Sequence, residues 1–512
     1  MSKPITPFSI SAPGFFGLNL QDSPVDLSAN YSLIATNCII DKSGRIGSRK
    51  GWAASNSSSV SLGTNPITCI GELVGNDGVS TILATGGGYI FKLSGGVLTA
   101  LTYGGGGVAP TISANNWHFS QLNGIAIFCQ VGYDTLIYDP TVSTTQFRRL
   151  SEKTGHVGTF YQCNTGLSAY GRFWYADNGT DKNTIVWSDL QSPHVMTGGS
   201  SGSLNLLGIW PKGGDQIVTI AAHNNFLVIF GRKQILVYSG ADDPANMSLT
   251  DHISGIGCIA RDSVQATDKD VIFLSDSGVM SLMRTIQEKS APMMDLSKNI
   301  RDELQAHINL SSMDDVKSVY SAIYGFYLLT MPTSSETYCF DTVRPLQDGS
   351  YRTTVWSLVP TAMVETKGRK LYIGQAGYVG EYSGYLDNAS TYRMSYYTTW
   401  IDFGNPIVTS ILKKIFATII GLGGQSIVFK WAYDFSTNYY SDTVTLPSTG
   451  TVAEWGTFEW GIGEWGVGGG VTTASVNGSS AGKVLQFGFE TVINNEPVSI
   501  QKIDLFTKDG KL

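Results

Sequence analysis

The sequence predicts an all-β protein: a β-propeller of six to eight blades, with an extended amino-terminal arm and a carboxy-terminal β-sandwich-like module. Three observations predict it. Short apolar runs recur in pairs joined by Gly, Asn or Asp turns, the pattern of β-hairpins. Successive pairs begin about 45 to 50 residues apart, the length that a four-stranded propeller blade needs. The 512-residue chain holds 59 glycines but only 15 % charged residues, against roughly 25 % in ordinary soluble domains. Such a composition suits many short strands, and a surface partly covered by neighbours. Two stacked sandwiches would give a similar strand count and are the rival architecture.

Residues 1–55 read as the arm. Turns fall at Pro13-Gly14, Asp22-Ser23-Pro24 and Ser43-Gly44, and Asn37 opens a short strand that turns back at Asp41–Gly44. With dispersed apolar anchors and little core of its own, the arm is expected to lie on another surface, in cis or in trans. Arg45 and Arg49, close to Trp52, are the candidates for pinning it through carboxylate or carbonyl contacts.

Residues 56–389 read as the propeller. Hairpins are expected at 79–93, 123–139, 170–189, 224–239, 270–283, 324–341 and 368–383. A helix interrupts them at 295–308: Leu296, Ile300, Leu304 and Ile308 repeat every four residues and so share one face, with Asp295 placed to cap the start. A helix between blades reads as a packing brace. From about 390 to 512 the strands lengthen, as in SILKKIFATII (410–420), and read as a separate sandwich-like module that the amino-terminal segment could complete.

Charge and composition narrow the function. The net charge is −7 and no long basic run exists, so tight wrapping of nucleic acid is not expected. A mildly acidic channel through which DNA slides without sticking is compatible. The opening MSKPITPFSISAPGFF has no apolar h-region and does not read as a signal peptide. No run of 18 apolar residues occurs, so no membrane-spanning helix is expected. Six scattered cysteines without a CxxC pair read as buried free thiols.

Catalytic patterns are sparse. None of the six histidines forms a helical pair or an HExxH motif, and neither GLSAY nor GVSTI has both glycines of a nucleophile elbow. The glycine-rich loops GGGYIF and TYGGGGVAP lack the Lys-Ser or Lys-Thr of a phosphate cradle. DNGTDKNT (177–184) lacks the closing Glu of a calcium loop and reads as a solvated turn. No cofactor or metal site is expected, and the chain does not read as an enzyme.

Carboxylates offer the one enzymatic alternative, because glycoside hydrolysis needs only a suitably spaced pair. Asp177 and Asp189 share a hairpin, and Glu454, Glu459 and Glu464 stand in EWGTFEWGIGEWG, where Glu-Trp-Gly recurs three times at a spacing of five. Trp455, Trp460 and Trp465 could stack on sugars. On a regular strand, however, a spacing of five sends successive side chains to opposite faces. Tryptophans on alternating sides fit a junction between neighbours better than a single groove, and large rigid side chains commonly anchor interfaces.

The arm carries the sharpest motif. Gly17-Leu18-Asn19, the Asp22-Ser-Pro24 bend, Ala35-x-Asn37-Cys38 and the Gly44-Arg45 … Arg49-x-Gly51 turn occur in order. So does Ile185-Val-Trp-Ser-Asp-Leu-Gln-Ser-Pro193 further on. This pattern resembles the tail nozzle, or tail tubular protein B-like, propeller proteins of short-tailed bacteriophages over roughly residues 13–400. The chain looks shorter than the best-known nozzles, which implies fewer insertions between blades.

The resemblance implies a structural virion protein rather than an enzyme. Six copies would form a ring below the head–tail adaptor and portal, touch tail fibre or spike proteins, and line the passage of double-stranded DNA during genome retention and ejection. Assembly would take place in the host cytoplasm, with no stable membrane insertion. A tail-associated glycan-binding or polysaccharide-degrading protein is the alternative.

Overall fold

The chain is described by a computed structural model, for residues 6–114, 116–130, 132–159, 162–288, 295–403, 407–421, 424–446 and 470–510. Trp455, Trp460 and Trp465, with Glu454, Glu459 and Glu464, lie outside the described residues.

Each of the seven expected hairpins forms the second and third strands of one radial unit. Six compact sheets are blades in their own right. The first four run Cys69–Val74 to Val97–Ala100, Trp117–Leu122 to Gln146–Arg149, Cys163–Ala169 to Gly202–Asn205, and Ile217–His223 to Ser248–Ser254. The fifth is the three-stranded sheet Gln265–Ala266, Val271–Ser275 and Gly278–Ser281. The last holds Ala362–Glu365, Leu371–Gln375 and Tyr378–Glu381, and is completed by Ala53–Ala54 from the other end of the chain. Between the fifth and the last, strands Lys317–Ser321 to Arg352–Trp356 fill one more radial position. They are the near end of a ten-stranded sheet that runs on out of the propeller. The first strand of each unit neighbours the first strand of the next, and Ala362–Glu365 returns to Cys69–Val74 to close the ring.

Burial explains the closure. A small sheet with two apolar faces needs a partner on each side, and a ring supplies both. Trp117 and Phe128 of the second blade share a core with Leu83 and Ile90 of the first. Trp174 and Trp187 of the third meet Leu227 and Leu236 of the fourth. Phe230 of the fourth packs on Phe273 of the fifth, ring centroids 5.1 Å apart.

The sandwich is built from both ends of the chain. The ten-stranded sheet continues from Arg352–Trp356 through the arm strands Gly17–Leu18 and Tyr31–Thr36 to Tyr392–Thr398, Leu485–Ile493, Ser426–Tyr433 and Tyr440–Thr445. A seven-stranded sheet centred on Ser410–Gly421 and Val498–Asp509 takes up Thr6–Ser11, Cys38–Ile40 and Ile46–Ser48. One core fills the space between the sheets. Phe429, Phe487 and Phe489 face Ile415, Ile500 and Leu505, and the arm adds Phe15, Leu18, Cys38 and Ile46.

As described from residue 6, the arm lies in cis and completes the sandwich, as the sequence allows for the amino-terminal segment. The segment is woven in cis into both sandwich sheets and the last blade, because its apolar side chains alternate along strands that complete other sheets. The brace helix differs in detail from its expected span of 295–308. A 3-10 turn at Lys298–Ile300 leads into the helix Arg301–Leu310. Leu296, Ile300 and Leu304 are buried, but Asp295 binds the Arg301 guanidinium at 2.6 and 2.9 Å instead of capping the helix. A second short helix, Leu282–Glu288, follows the 270–283 hairpin; its Leu and Met residues read in the sequence as the end of a strand.

Candidate functional site

Two polar assemblies stand out: a charged hub where the first strands of several radial units meet and a joint beneath the arm. The hub begins at a 3-10 turn, Arg261–Ser263, on the way into the fifth blade. Arg261 donates from Nε to Asp262 Oδ1 and from Nη2 to Asp262 Oδ2, both at 2.8 Å. It also donates to the Trp117 carbonyl at 2.9 Å and the Asn164 carbonyl at 2.8 Å. Lys317 Nζ donates to Asp262 Oδ2, and Ser318 Oγ to the Asp262 carbonyl at 2.7 Å. His118 closes the set, with Nε2 at 2.9 Å from the Gly166 carbonyl and Nδ1 at 3.3 Å from Asp262 Oδ1.

Through these contacts the second, third and fifth blades and the strand Lys317–Ser321 are tied together. Burial by itself would raise the Asp262 pKa, but Arg261 and Lys317 override it and hold the carboxyl well below the usual range. Arg261 donates to both Asp262 oxygens, and Lys317 donates to Oδ2 as well. The hub is therefore a fastener, and its carboxylate is not free to act as a base.

The arm joint centres on Arg49, whose side chain is wholly buried. Its guanidinium forks onto Asp387, Nη1 to Oδ1 at 2.8 Å and Nη2 to Oδ2 at 2.6 Å. Nε donates to Asn37 Oδ1 and Nη1 to the Lys50 carbonyl, each at 2.9 Å. The guanidinium carbon stands 4.0 Å from the centroid of the Tyr392 ring. Asn37, in the left-handed region at φ 56°, also accepts from Ser357 N at 2.9 Å and donates to the Arg393 carbonyl at 2.7 Å. Beside this joint lies an open groove of about 660 Å³, lined among others by Asn37, Asp387, Tyr392, Arg393 and Glu490.

The other residues that the sequence singled out take local roles. Arg45 pairs with Asp41 at 2.6 Å inside its own hairpin turn and does not reach across to another element. Trp52 is buried against the last blade, where a Cβ on Gly380 would lie 2.4 Å from its ring. Asp177 is paired with Lys182 and accepts from Asn164 Nδ2 at 2.7 Å. Asp189 accepts from Ser200 N at 3.0 Å and Oγ at 2.8 Å, so the two aspartates of that hairpin are each engaged separately. Among the described residues no group of three or more His, Cys, Asp or Glu could hold a metal ion. No described helix is long and apolar enough to cross a membrane.

The sequence reading missed Arg261, Asp262 and Lys317. A trace of them was present: Arg261-Asp262 interrupts the apolar Gly257-Cys-Ile-Ala260, where an adjacent cation and anion are costly unless paired.

Fold and hub together define a β-propeller protein with a composite β-sandwich. No protein-family model matches this chain, and no curated protein does. Solved structures with a similar arrangement share little of the sequence. The extracellular domain of a protein titled a hybrid two component system, from B. thetaiotaomicron, is 11 % identical with a TM-score of 0.42; the match covers 80 % of this chain and 57 % of that one. The Pan2 WD40 domain of Neurospora crassa is 10 % identical with a TM-score of 0.36, covering 67 % and 97 %. The N-terminal domain of Nup159 is 10 % identical with a TM-score of 0.38, covering 68 % and 98 %. At these scores the likenesses carry no argument about function.

Proposed function

We propose that this chain is a structural subunit of a short bacteriophage tail: a nozzle-like protein that assembles as a ring and lines the DNA exit passage. One observation carries the reading. Several of the arm residues that bear the resemblance to tail nozzle proteins sit where the propeller and the sandwich meet, and others shape turns of the arm itself. Gly17 lies so close to the strand Arg352–Trp356 that a Cβ would stand 2.5 Å from the Thr353 carbonyl. Asn19 Oδ1 caps the Asp22 bend by accepting from the Gln21 and Asp22 amides at 3.1 Å. Asn37 and Arg49 form the buried joint, and Gly51 abuts the Leu386 backbone. In the second motif, Trp187 Nε1 donates to the Ser200 carbonyl at 3.0 Å and Tyr175 donates to the Pro193 carbonyl at 2.7 Å. Motif residues that serve turns, close backbone approaches and buried joints support a mechanical role.

In this role the propellers stand side by side around a passage, and mildly acidic walls let phosphates move with little adhesion. Light scattering on the purified chain tests the reading. A multi-subunit ring is expected, six copies by resemblance; a monomer that cleaves capsular or wall polysaccharide would overturn it. Replacing Trp455, Trp460 and Trp465 with Ala separates the alternative: loss of ring assembly fits the nozzle reading, and loss of saturable glycan binding fits a receptor binder.

A further inference from the structure

Asp341 and Arg352 face each other across neighbouring strands of the radial unit that runs into the ten-stranded sheet. Both are 7 % exposed, yet their side chains form no hydrogen bond or ion pair with each other. Asp341 Oδ1 accepts from the Val343 amide at 2.9 Å, while its Oδ2 has no partner. Arg352 Nε and Nη1 have none either. The three orphaned atoms belong to two side chains that line one small cavity of about 10 Å³. Ile39 and Ile40 of the arm form another wall, with Cys339 and Thr354.

The arm explains the separation. The Arg352 guanidinium sits 5.7 Å from the centroid of the arm's Phe16 ring, and a Cβ on Gly44 would lie 3.4 Å from its Nη1. This cation–π contact draws the cation toward the arm and away from the carboxylate.

Two opposite charges buried side by side with open hydrogen-bonding positions are strongly disfavoured unless something completes them. Tyr324 and Phe326 complete the lining of the cavity, so Asp341 and Arg352 supply its charged groups, and its volume admits a single water and no larger ligand. We propose that Asp341 and Arg352 form a water-bridged ion pair across neighbouring strands, beneath the arm hairpin at Ile39 and Ile40. The bound water accepts from Arg352 Nε or Nη1 and donates to Asp341 Oδ2, which leaves its second hydrogen for the weak acceptor Cys339 Sγ.

A crystal structure of the full wild-type chain at a resolution that shows ordered solvent tests this directly. A peak within about 3.2 Å of Asp341 Oδ2 and of Arg352 Nε or Nη1 is the expected result. A dry gap, or a direct Arg352–Asp341 contact with the cavity closed, would overturn the proposal. The variants Asp341→Leu, Arg352→Met and their double provide a solution readout. If the pair is coupled through water, the double variant melts above the less stable single variant; strictly additive losses in Tm would count against it.

Discussion

Arg49 and Asp387 stand 338 positions apart in the chain and meet as a two-pronged ion pair at 2.8 and 2.6 Å. The contact fastens the amino-terminal segment to the link between the last blade and the sandwich. It is the point at which the closure of the ring and the attachment of the sandwich depend on one side chain.

Removing Asp387 leaves the wholly buried Arg49 charge without its partner, which costs about 3–5 kcal/mol, whereas removing Arg49 leaves the partly exposed Asp387 and costs less. Asp387→Ala is expected to lower Tm markedly, and Arg49→Ala to lower it by less. Arg49→Lys should recover little, because an ammonium cannot fork onto both carboxylate oxygens. Thermal melts of the three variants check this; recovery of wild-type stability by Arg49→Lys would show that charge alone suffices.

Gly51 is a backbone contact. A Cβ there would lie 2.0 Å from the Leu386 carbonyl oxygen, and a backbone atom cannot swing away as a side-chain tip can. Gly51→Ala is expected to destabilise by about 3 kcal/mol, the upper end of overpacking costs. Chemical denaturation provides the number, and a loss under about 0.5 kcal/mol, the range of ordinary surface changes, would refute the close approach.

The pH dependence of stability has a definite sign at Asp341. Its pKa rises from the usual 3.8 to about 6 by burial, against the lowering effect of the Val343 amide, Arg352 and Arg344. The native state then binds a proton more tightly than the unfolded chain between pH 3.8 and 6. Its contribution to stability is greatest below 3.8 and falls as pH rises through that window. Asp341→Asn should remove up to about 1.4 kcal/mol per pH unit of slope there. Asp262 works in the opposite sense. Its lowered pKa stabilises the fold above the usual carboxylate range, and that stability is lost on acidification. Denaturation of wild type and Asp341→Asn at steps from pH 4 to 6.5 measures the difference, and parallel curves would refute it.

All six cysteines are free and buried. Burial pushes the thiols of Cys69, Cys129 and Cys258 up to about 12 and raises the other three as well. A thiol-reactive chromophore should therefore label none of them rapidly in the native protein and all six after denaturation. A fast-reacting thiol in the folded chain would contradict this arrangement.

Local pattern was enough to locate the strand pairs. All seven hairpins could be read because alternation and turn residues are neighbour effects, and the interval between them pointed to radial units. The Asn37 strand and its turn at Asp41–Gly44 were legible for the same reason. Where those strands went was settled by tertiary structure. Which sheet edge takes up Gly17–Leu18, Ile46–Ser48 or Ala53–Ala54 depends on partners hundreds of residues away, and alternation says only that a strand has an apolar face. The Arg261–Asp262–Lys317 hub was hidden likewise, since its charges are affordable in a core only because closure of the ring brings them together.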